Sequence, residues 1–216
     1  MIEYLNYMHK IKYNLNIYRR YSYWKKAKCI YIHVPKAAGT SINKAVFGRT
    51  LGHYKAKEIK CKFPILFSNL LVFSFVRNPW DRVFSAYKFA KIGRTESMGV
   101  RNLEQYLIPE FESFELFVTK WLILQDINNL DFIFQPQYSF LYDKNDVLLV
   151  DYIGKVETIE TGIKHIESKL HKKFNILHAN KTSKGVSYRE AYVTNEMIEV
   201  IRDIYFKDIE LFDYEF

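Results

Sequence analysis

The sequence has few cysteines and no long apolar run. Cys29 and Cys61 are the two cysteines among 216 residues. They are too few for a disulfide framework, and neither lies in a CxxC or Cys/His cluster of the kind that binds zinc. The longest apolar stretch, residues 63–76, is interrupted by proline, serine and asparagine, and it falls short of the ~20 residues that cross a bilayer. The N-terminal residues also lack the continuous apolar core of a signal peptide.

Proline and glycine are scarce as well, at 5 and 8 residues, so the sequence offers no recognisable linker. We therefore predict one domain over residues 28–216, with residues 1–27 forming a basic helix or arm packed on it. A hydrophobic content of 49% is enough for one large core. The net charge of +8 favours a polyanionic partner, and it leaves nucleotide, nucleic acid, acidic glycan and membrane surface open.

The first chemical signal is a short loop between a predicted strand and a predicted helix. Residues 29–34 are apolar and β-branched and stop at Pro35, and an apolar helix follows from Thr40 until Gly48 ends it. Small residues let an anionic group approach the unpaired N–H groups of a helix start, where Lys36 adds a cation. The loop is not a Walker A motif, because its lysine precedes the glycine. Thr40 and its neighbouring serine are expected to cap the helix or to bind ligand oxygens.

A second loop has the same design. The predicted strand 70–76 leads to Arg77, and an Asn-Pro helix start follows, with a helix to about residue 91. Arg77 can bind a phosphate in bidentate fashion or pair with Asp81, and Ser85 can add a hydrogen bond. A third strand at 147–153 and helices at 159–170 and 195–206 complete an alternating pattern, which predicts an α/β fold with a parallel sheet. Two parallel strands would bring both anion-seeking loops to one sheet edge.

These two loops carry a resemblance to a known family. Residues 32–42, IHVPKAAGTSI, resemble the 5′-phosphosulfate loop of the carbohydrate sulfotransferases, and residues 75–87, FVRNPWDRVFSAY, resemble their 3′-phosphate motif. Weaker similarity continues through residues 135–137 and 153–157 to the C-terminus. The resemblance implies a three-layer P-loop-like fold with a central parallel sheet flanked by helices. It also implies transfer of a sulfuryl group from 3′-phosphoadenosine 5′-phosphosulfate (PAPS) to a carbohydrate hydroxyl, with 3′-phosphoadenosine 5′-phosphate (PAP) as product and no metal.

The family motifs assign roles to particular residues. Residues 36–41 would hold the 5′-phosphosulfate, and Arg77 and Ser85 the 3′-phosphate. A loop closing over the nucleotide would contain Ser183 and Lys184. The residues expected to hold the nucleotide are Lys36, Ala37, Ala38, Gly39, Thr40, Ser41, Arg77, Ser85, Ser183 and Lys184. Arg94, in a polar loop, and Gln137 are candidates for binding the acceptor.

The reaction also needs a base for the acceptor hydroxyl. A histidine suits this task because its pKa lies near neutral pH. His53 is the best candidate, since it lies between the two motifs and related heparan-type enzymes resemble this arrangement. Lys36 is then expected to stabilise charge on the departing phosphate oxygen. His33 lies within the first predicted strand and is expected to be a core residue.

Two other functions stay open at this point. A nucleotide kinase would share the anion-binding loops, although the sequence lacks a Walker lysine. A basic module that binds nucleic acid or membrane could use residues 1–27. Under the sulfotransferase hypothesis we expect a cytoplasmic, microbial enzyme with a carbohydrate partner and no nucleic-acid partner, and peripheral membrane contact through residues 1–27 stays possible.

Overall fold

The computed structural model describes residues 13–93, 99–100, 102–175 and 187–216. Its centre is a parallel three-stranded sheet in the order β1-β2-β3, formed by Cys29–Ile32, Leu71–Val76 and Tyr152–Lys155. Because the central strand β2 is parallel to both neighbours, the carboxyl ends of all three strands lie at one edge of the sheet. This edge is where both predicted anion loops begin.

Helices surround the sheet. They are α1 (Tyr21–Ala27), α2 (Gly39–Phe47), α3 (Ala56–Lys62), α4 (Pro64–Asn69), α5 (Pro79–Ile92), α6 (Phe114–Leu116), α7 (Tyr138–Leu141), α8 (Ile159–Leu170), α9 (Tyr188–Ala191), α10 (Asn195–Ile204) and α11 (Phe206–Phe212). Residues 13–18 are also helical, and α6 continues as one turn of π-helix and a 3₁₀ turn. In the described part of the chain, no helix is both long and apolar enough to cross a membrane.

The sheet is buried on both faces. Alternate residues of β1 and β2 enter two separate apolar clusters, as the two-residue period of a strand requires. Ile30 and Val72 belong to the larger cluster, whereas Tyr31 and Phe73 belong to a smaller cluster with residues of α2 and α8. A parallel sheet with apolar residues on both faces needs a covering layer on each side. The predicted α/β class with a parallel sheet flanked by helices is therefore confirmed.

The N-terminal residues that the structure describes pack on this body. Ile17 and Trp24 are each 1% exposed and belong to the larger core cluster. The Arg20 Nε–H donates a hydrogen bond of 2.9 Å to the Leu51 carbonyl oxygen. The division of the chain at residue 27 stays a prediction.

Three predicted elements needed correction. The first strand was expected at 29–34 but ends at Ile32. The third strand was expected at 147–153 but occupies Tyr152–Lys155. Leu148 instead forms an isolated antiparallel bridge with Tyr142, and the N–H of Asp151 donates to the carbonyl oxygen of Val72 at 2.7 Å. The helix expected at 195–206 ends at Ile204, and Tyr205 separates α10 from α11. The backbone of Tyr205 is not helical, with φ −108° and ψ 23°, and its hydroxyl donates to the Phe134 carbonyl oxygen at 2.7 Å.

Candidate active site

The loop between β1 and α2 has an unusual backbone. Lys36 and Ala38 have φ angles of 65° and 56°, in the left-handed region that costs residues with a side chain about 1–2 kcal/mol each. The helix starts at Gly39 with Ala38 as its N-cap, and no side chain caps it. Thr40 and the following serine therefore lie in the first helical turn, which corrects the expected cap. First-turn N–H groups have no partner within a helix, so this end attracts an anion.

Gly39 is needed because the loop lies directly against His33. A Cβ atom at Gly39 would lie 1.8 Å from Cδ2 of the His33 ring. The ring is 2% exposed, so it cannot move aside into solvent. The buried His33 ring therefore packs against the loop at Gly39. Its burial agrees with the expectation that His33 is a core residue.

Lys36 is a poorly solvated cation at this loop. Burial, with additional contributions from the positive charges of Arg77 and Lys88, lowers the pKa of its amine to about 8. The Nζ atom lies 4.3 Å from the centroid of the Phe89 ring. At pH 7 the amine is still mostly protonated. Because few water molecules solvate its charge, an anion is its natural partner.

Arg77 connects the two loops. Its Nε and Nη2 atoms donate to both carboxylate oxygens of Asp81 at 2.7 Å, and Nη1 donates to the Lys36 carbonyl oxygen at 3.2 Å. These bonds use three of the five guanidinium N–H groups. The Asp81 pairing that the sequence allowed is thus present, and the remaining N–H groups are the ones that could meet a phosphate.

Gln137 holds Arg77 in place. Its Oε1 accepts from the Arg77 N–H at 2.9 Å, and its Nε2 donates to the Arg77 carbonyl oxygen at 2.8 Å. The side chain is completely buried. The buried carboxylate of Asp208 accepts in turn from the backbone N–H groups of Gln137 and Tyr138, both at 2.8 Å. The structure therefore gives Gln137 a positioning role in place of the expected acceptor contact, because its amide is already used and screened from ligands.

His53 has a defined tautomer. Its Nδ1 lies 3.1 Å from the backbone carbonyl oxygen of His33. A carbonyl oxygen can only accept, so Nδ1 carries the proton and Nε2 keeps the lone pair. Burial lowers the pKa of His53, partly opposed by its backbone hydrogen bond and by the Asp131 carboxylate. The ring is therefore neutral at pH 7, with one nitrogen able to accept a proton.

Lys36 and His53 line the same cavity, which has a volume of about 450 Å³. The structure therefore brings together the two residues that the sequence predicts to be catalytic. The other residues that line the cavity were not predicted from the sequence, since most of them belong to no motif and Gln135, in the segment of weaker similarity at 135–137, had no assigned role. Those with polar side chains are Asn102, Gln105, Asn128, Asn129, Asp131 and Gln135. Their one common sequence signal is a high proportion of amide side chains.

Of the predicted site residues that the structure describes, residues 37–41, Arg77, Ser85 and Gln137 do not line this cavity. Ser85 is half-buried on α5 and does not line it. Arg94, Ser183 and Lys184 lie outside the described residues. Within residues 13–93, 99–100, 102–175 and 187–216, no group of three or more histidine, cysteine, aspartate or glutamate side chains is arranged to hold a metal ion.

The fold and this site together define an α/β protein in which Lys36, from the loop before α2, and a neutral histidine line one cavity. The model of the sulfotransferase family matches residues 19–215, which is nearly the whole chain. The chain therefore belongs to the sulfotransferase family, and the resemblance seen in its two motifs is confirmed. Family membership supports a sulfotransferase enzyme that uses a sulfonate donor and an acceptor substrate. No curated protein and no solved structure gives a significant match.

Proposed function

We propose that this sulfotransferase transfers a sulfuryl group from PAPS to a hydroxyl group of a carbohydrate, with His53 as the base. The observation that carries the proposal is the shared cavity, in which a cation at a helix start and a neutral histidine line the same space. A three-layer P-loop-like fold fits the same facts, because a strand, an anion loop and a helix follow each other at the edge of a parallel sheet.

Two groups of residues would bind the two charged ends of PAPS. The loop of residues 36–41 would hold the 5′-phosphosulfate, because its helix start and Lys36 supply positive charge there. Arg77 would offer its two remaining N–H groups to the 3′-phosphate, while Asp81 and Gln137 fix its orientation. The absence of a side chain at Gly39 lets this loop lie directly against the His33 ring, which fixes the position of the helix start.

The proposed transfer moves one proton to His53 and leaves one electron pair on the departing phosphate oxygen. As the acceptor oxygen forms its bond to sulfur, Nε2 of His53 takes the hydroxyl proton. As the bond between sulfur and the bridging phosphate oxygen breaks, that oxygen keeps the electron pair, and Lys36 neutralises its new negative charge. The products are the sulfated sugar, PAP and a protonated His53, which returns its proton to solvent.

Separate measurements of binding and turnover test these roles. Wild-type protein should bind PAP in a calorimetric titration without metal, and more tightly than it binds ATP with magnesium. His53→Gln should keep PAP affinity but lower kcat by about 10²–10⁴-fold, the usual contribution of a general base. His165→Gln is the matched control, because His165 is exposed and stacks on Tyr152. A His53→Gln variant with wild-type kcat would remove His53 from the mechanism.

A further inference from the structure

The backbone just before His53 is anchored by two side chains. The carbonyl oxygen of Leu51 accepts a hydrogen bond of 2.9 Å from the Arg20 Nε–H. The N–H of Leu51 donates to Oδ1 of Asn43 at 3.3 Å. Asn43 is buried in α2, and its Nδ2 donates to the Gly39 carbonyl oxygen at 2.9 Å. The Asn43 amide therefore connects this backbone to the start of α2, and the Arg20 guanidinium fixes the carbonyl group of the same residue.

A further contact reaches His53 itself. The Tyr13 hydroxyl lies 3.2 Å from the His53 carbonyl oxygen and 3.0 Å from Oε2 of Glu58. A hydroxyl has one proton, so these two acceptors share it. The same Glu58 oxygen accepts from the Lys55 N–H at 2.7 Å, within the capping box that starts α3. Tyr13 is therefore held against the His53 backbone by a carboxylate that is itself fixed.

The residue after His53 contacts the same two side chains. Tyr54 is 5% exposed, and its ring centroid lies 4.8 Å from that of Tyr13. Burial raises the pKa of the Tyr54 hydroxyl, whereas the positive charge of Arg20 and a hydrogen bond from it oppose this rise. Tyr13 and Arg20 thus contact the chain both before and after the histidine.

The direction of the His53 ring depends on this backbone. Residues 48–55 lie outside the helices and strands, so contacts with neighbouring elements must fix them. The His53 ring lies 4.0 Å from the His33 ring between centroids, and its Nδ1 is 3.1 Å from the His33 carbonyl oxygen. A shift of the segment would lengthen this hydrogen bond, and Nε2 would no longer be held as the proton acceptor.

We propose that Tyr13 and Arg20 are positioning residues for the transfer, through which the N-terminal segment, residues 13–27, holds His53 in the orientation that accepts the proton. This inference rests on the proposed function, in which His53 is the base. The sequence indicated only a basic helix or arm for this part of the chain. Reacting atoms must lie within about 3–3.5 Å of each other, so a small displacement of the base lowers the rate.

A measurement on the ring itself tests the inference without turnover. Nucleotide-free wild type and variants are labelled with ¹⁵N-histidine and compared by NMR at about pH 8, where a histidine of ordinary pKa is neutral. The His53 signals are identified by their loss in His53→Gln. We expect a fixed Nδ1–H tautomer in the wild type, and exchange between the two tautomers in Tyr13→Phe and in Arg20→Gln.

Each variant has a matched control in the same segment. Tyr18→Phe removes the hydroxyl of an exposed tyrosine that packs on Phe63, and Arg19→Gln removes an exposed charge next to Arg20 in the sequence. Both controls should keep the wild-type tautomer. Arg20→Lys keeps a donor and the charge, so it should restore part of the wild-type signal. Urea unfolding identifies any variant that is not folded, and Tyr13→Phe, which loses one oxygen atom, keeps the test decisive if Arg20→Gln unfolds.

Turnover then separates positioning from a general loss of stability. Release of PAP from PAPS in the presence of methyl galactoside counts transfer to the sugar and to water alike. Tyr13→Phe should lower kcat about 3–10-fold with an unchanged KM for PAPS, as expected for one lost hydrogen bond. In the His53→Gln background the same substitution should change kcat by less than about twofold, because the base that it positions is gone.

The outcomes separate the two proposals. A fixed His53 tautomer in both Tyr13→Phe and Arg20→Gln, or exchange in the wild type or in the two controls, would overturn the inference and leave the proposed function intact. An equal loss of kcat from Tyr13→Phe with and without His53 would also overturn it. Wild-type kcat in His53→Gln, or no release of PAP by the wild type, would count against the proposed function, and the spectra would still decide whether Tyr13 and Arg20 hold the ring.

Discussion

The pH dependence of Lys36 gives the most direct prediction. Its amine must be protonated to neutralise the leaving oxygen, and burial lowers its pKa to about 8. A group with this pKa is about 91% protonated at pH 7 and about 9% protonated at pH 9. We therefore expect kcat/KM, which reports ionisations of the free enzyme, to fall about tenfold between these two pH values. The assay is transfer from PAPS at subsaturating concentration.

Removing a positive charge from α5 should shift the pH at which kcat/KM falls. Lys88 is exposed, and its positive charge helps to lower the pKa of Lys36. Lys88→Gln should therefore raise the pKa of Lys36, so that kcat/KM falls at a higher pH than in the wild type. Lys91, one turn further along the helix, is not among the charges that lower it, so Lys91→Gln is the matched control. If kcat/KM of the wild type fell with a midpoint above pH 10, or if both variants shifted this midpoint equally, the reasoning would be refuted.

Two further predictions concern the support of the loops. Gly39→Ala forces a methyl group against the His33 ring and should weaken PAP binding and lower the free energy of unfolding by about 1–3 kcal/mol. Gly48→Ala meets no atom within 4 Å and should keep PAP affinity; equal affinities in both variants would contradict the close-approach argument. Gln137→Ala leaves the Arg77 backbone groups unpaired and should cost about 2–4 kcal/mol in urea unfolding. A Gln137→Ala variant as stable as the wild type would rule out the role of Gln137 in positioning Arg77.

Local patterns were enough for the elements that carry the motifs. The apolar run that begins at Cys29 forms β1, which ends at Ile32, and Gly48, with a φ of 74°, ends α2. Asn78 caps α5 by accepting from the Trp80 N–H, as the Asn-Pro start indicated. These features depend on a few neighbouring residues, so they are visible in the sequence. The third strand was misplaced because its position depends on pairing with β2.

Candidate site residues divided in a similar way. Lys36 and His53 were identified from their motif and from their position between motifs, and the fold places both at one cavity. Gln137 looked like a sugar-binding amide, since glutamine on a surface often binds hydroxyl groups. Sequence alone does not show whether a side chain is buried, and burial between Arg77 and Asp208 gives this amide another role.

The family, the parallel α/β design and the anion loop follow from the sequence, because a strand, a tight turn and a helix start are set by adjacent residues. Three features required the tertiary structure: the set of residues that line the cavity, the tautomer of His53 and the lowered pKa of Lys36. Each depends on groups far apart in the chain, such as Lys36 and Asn128, which line the same cavity. Burial and charge are properties of the packed neighbourhood, and packing joins residues whose order in the sequence gives no sign that they meet.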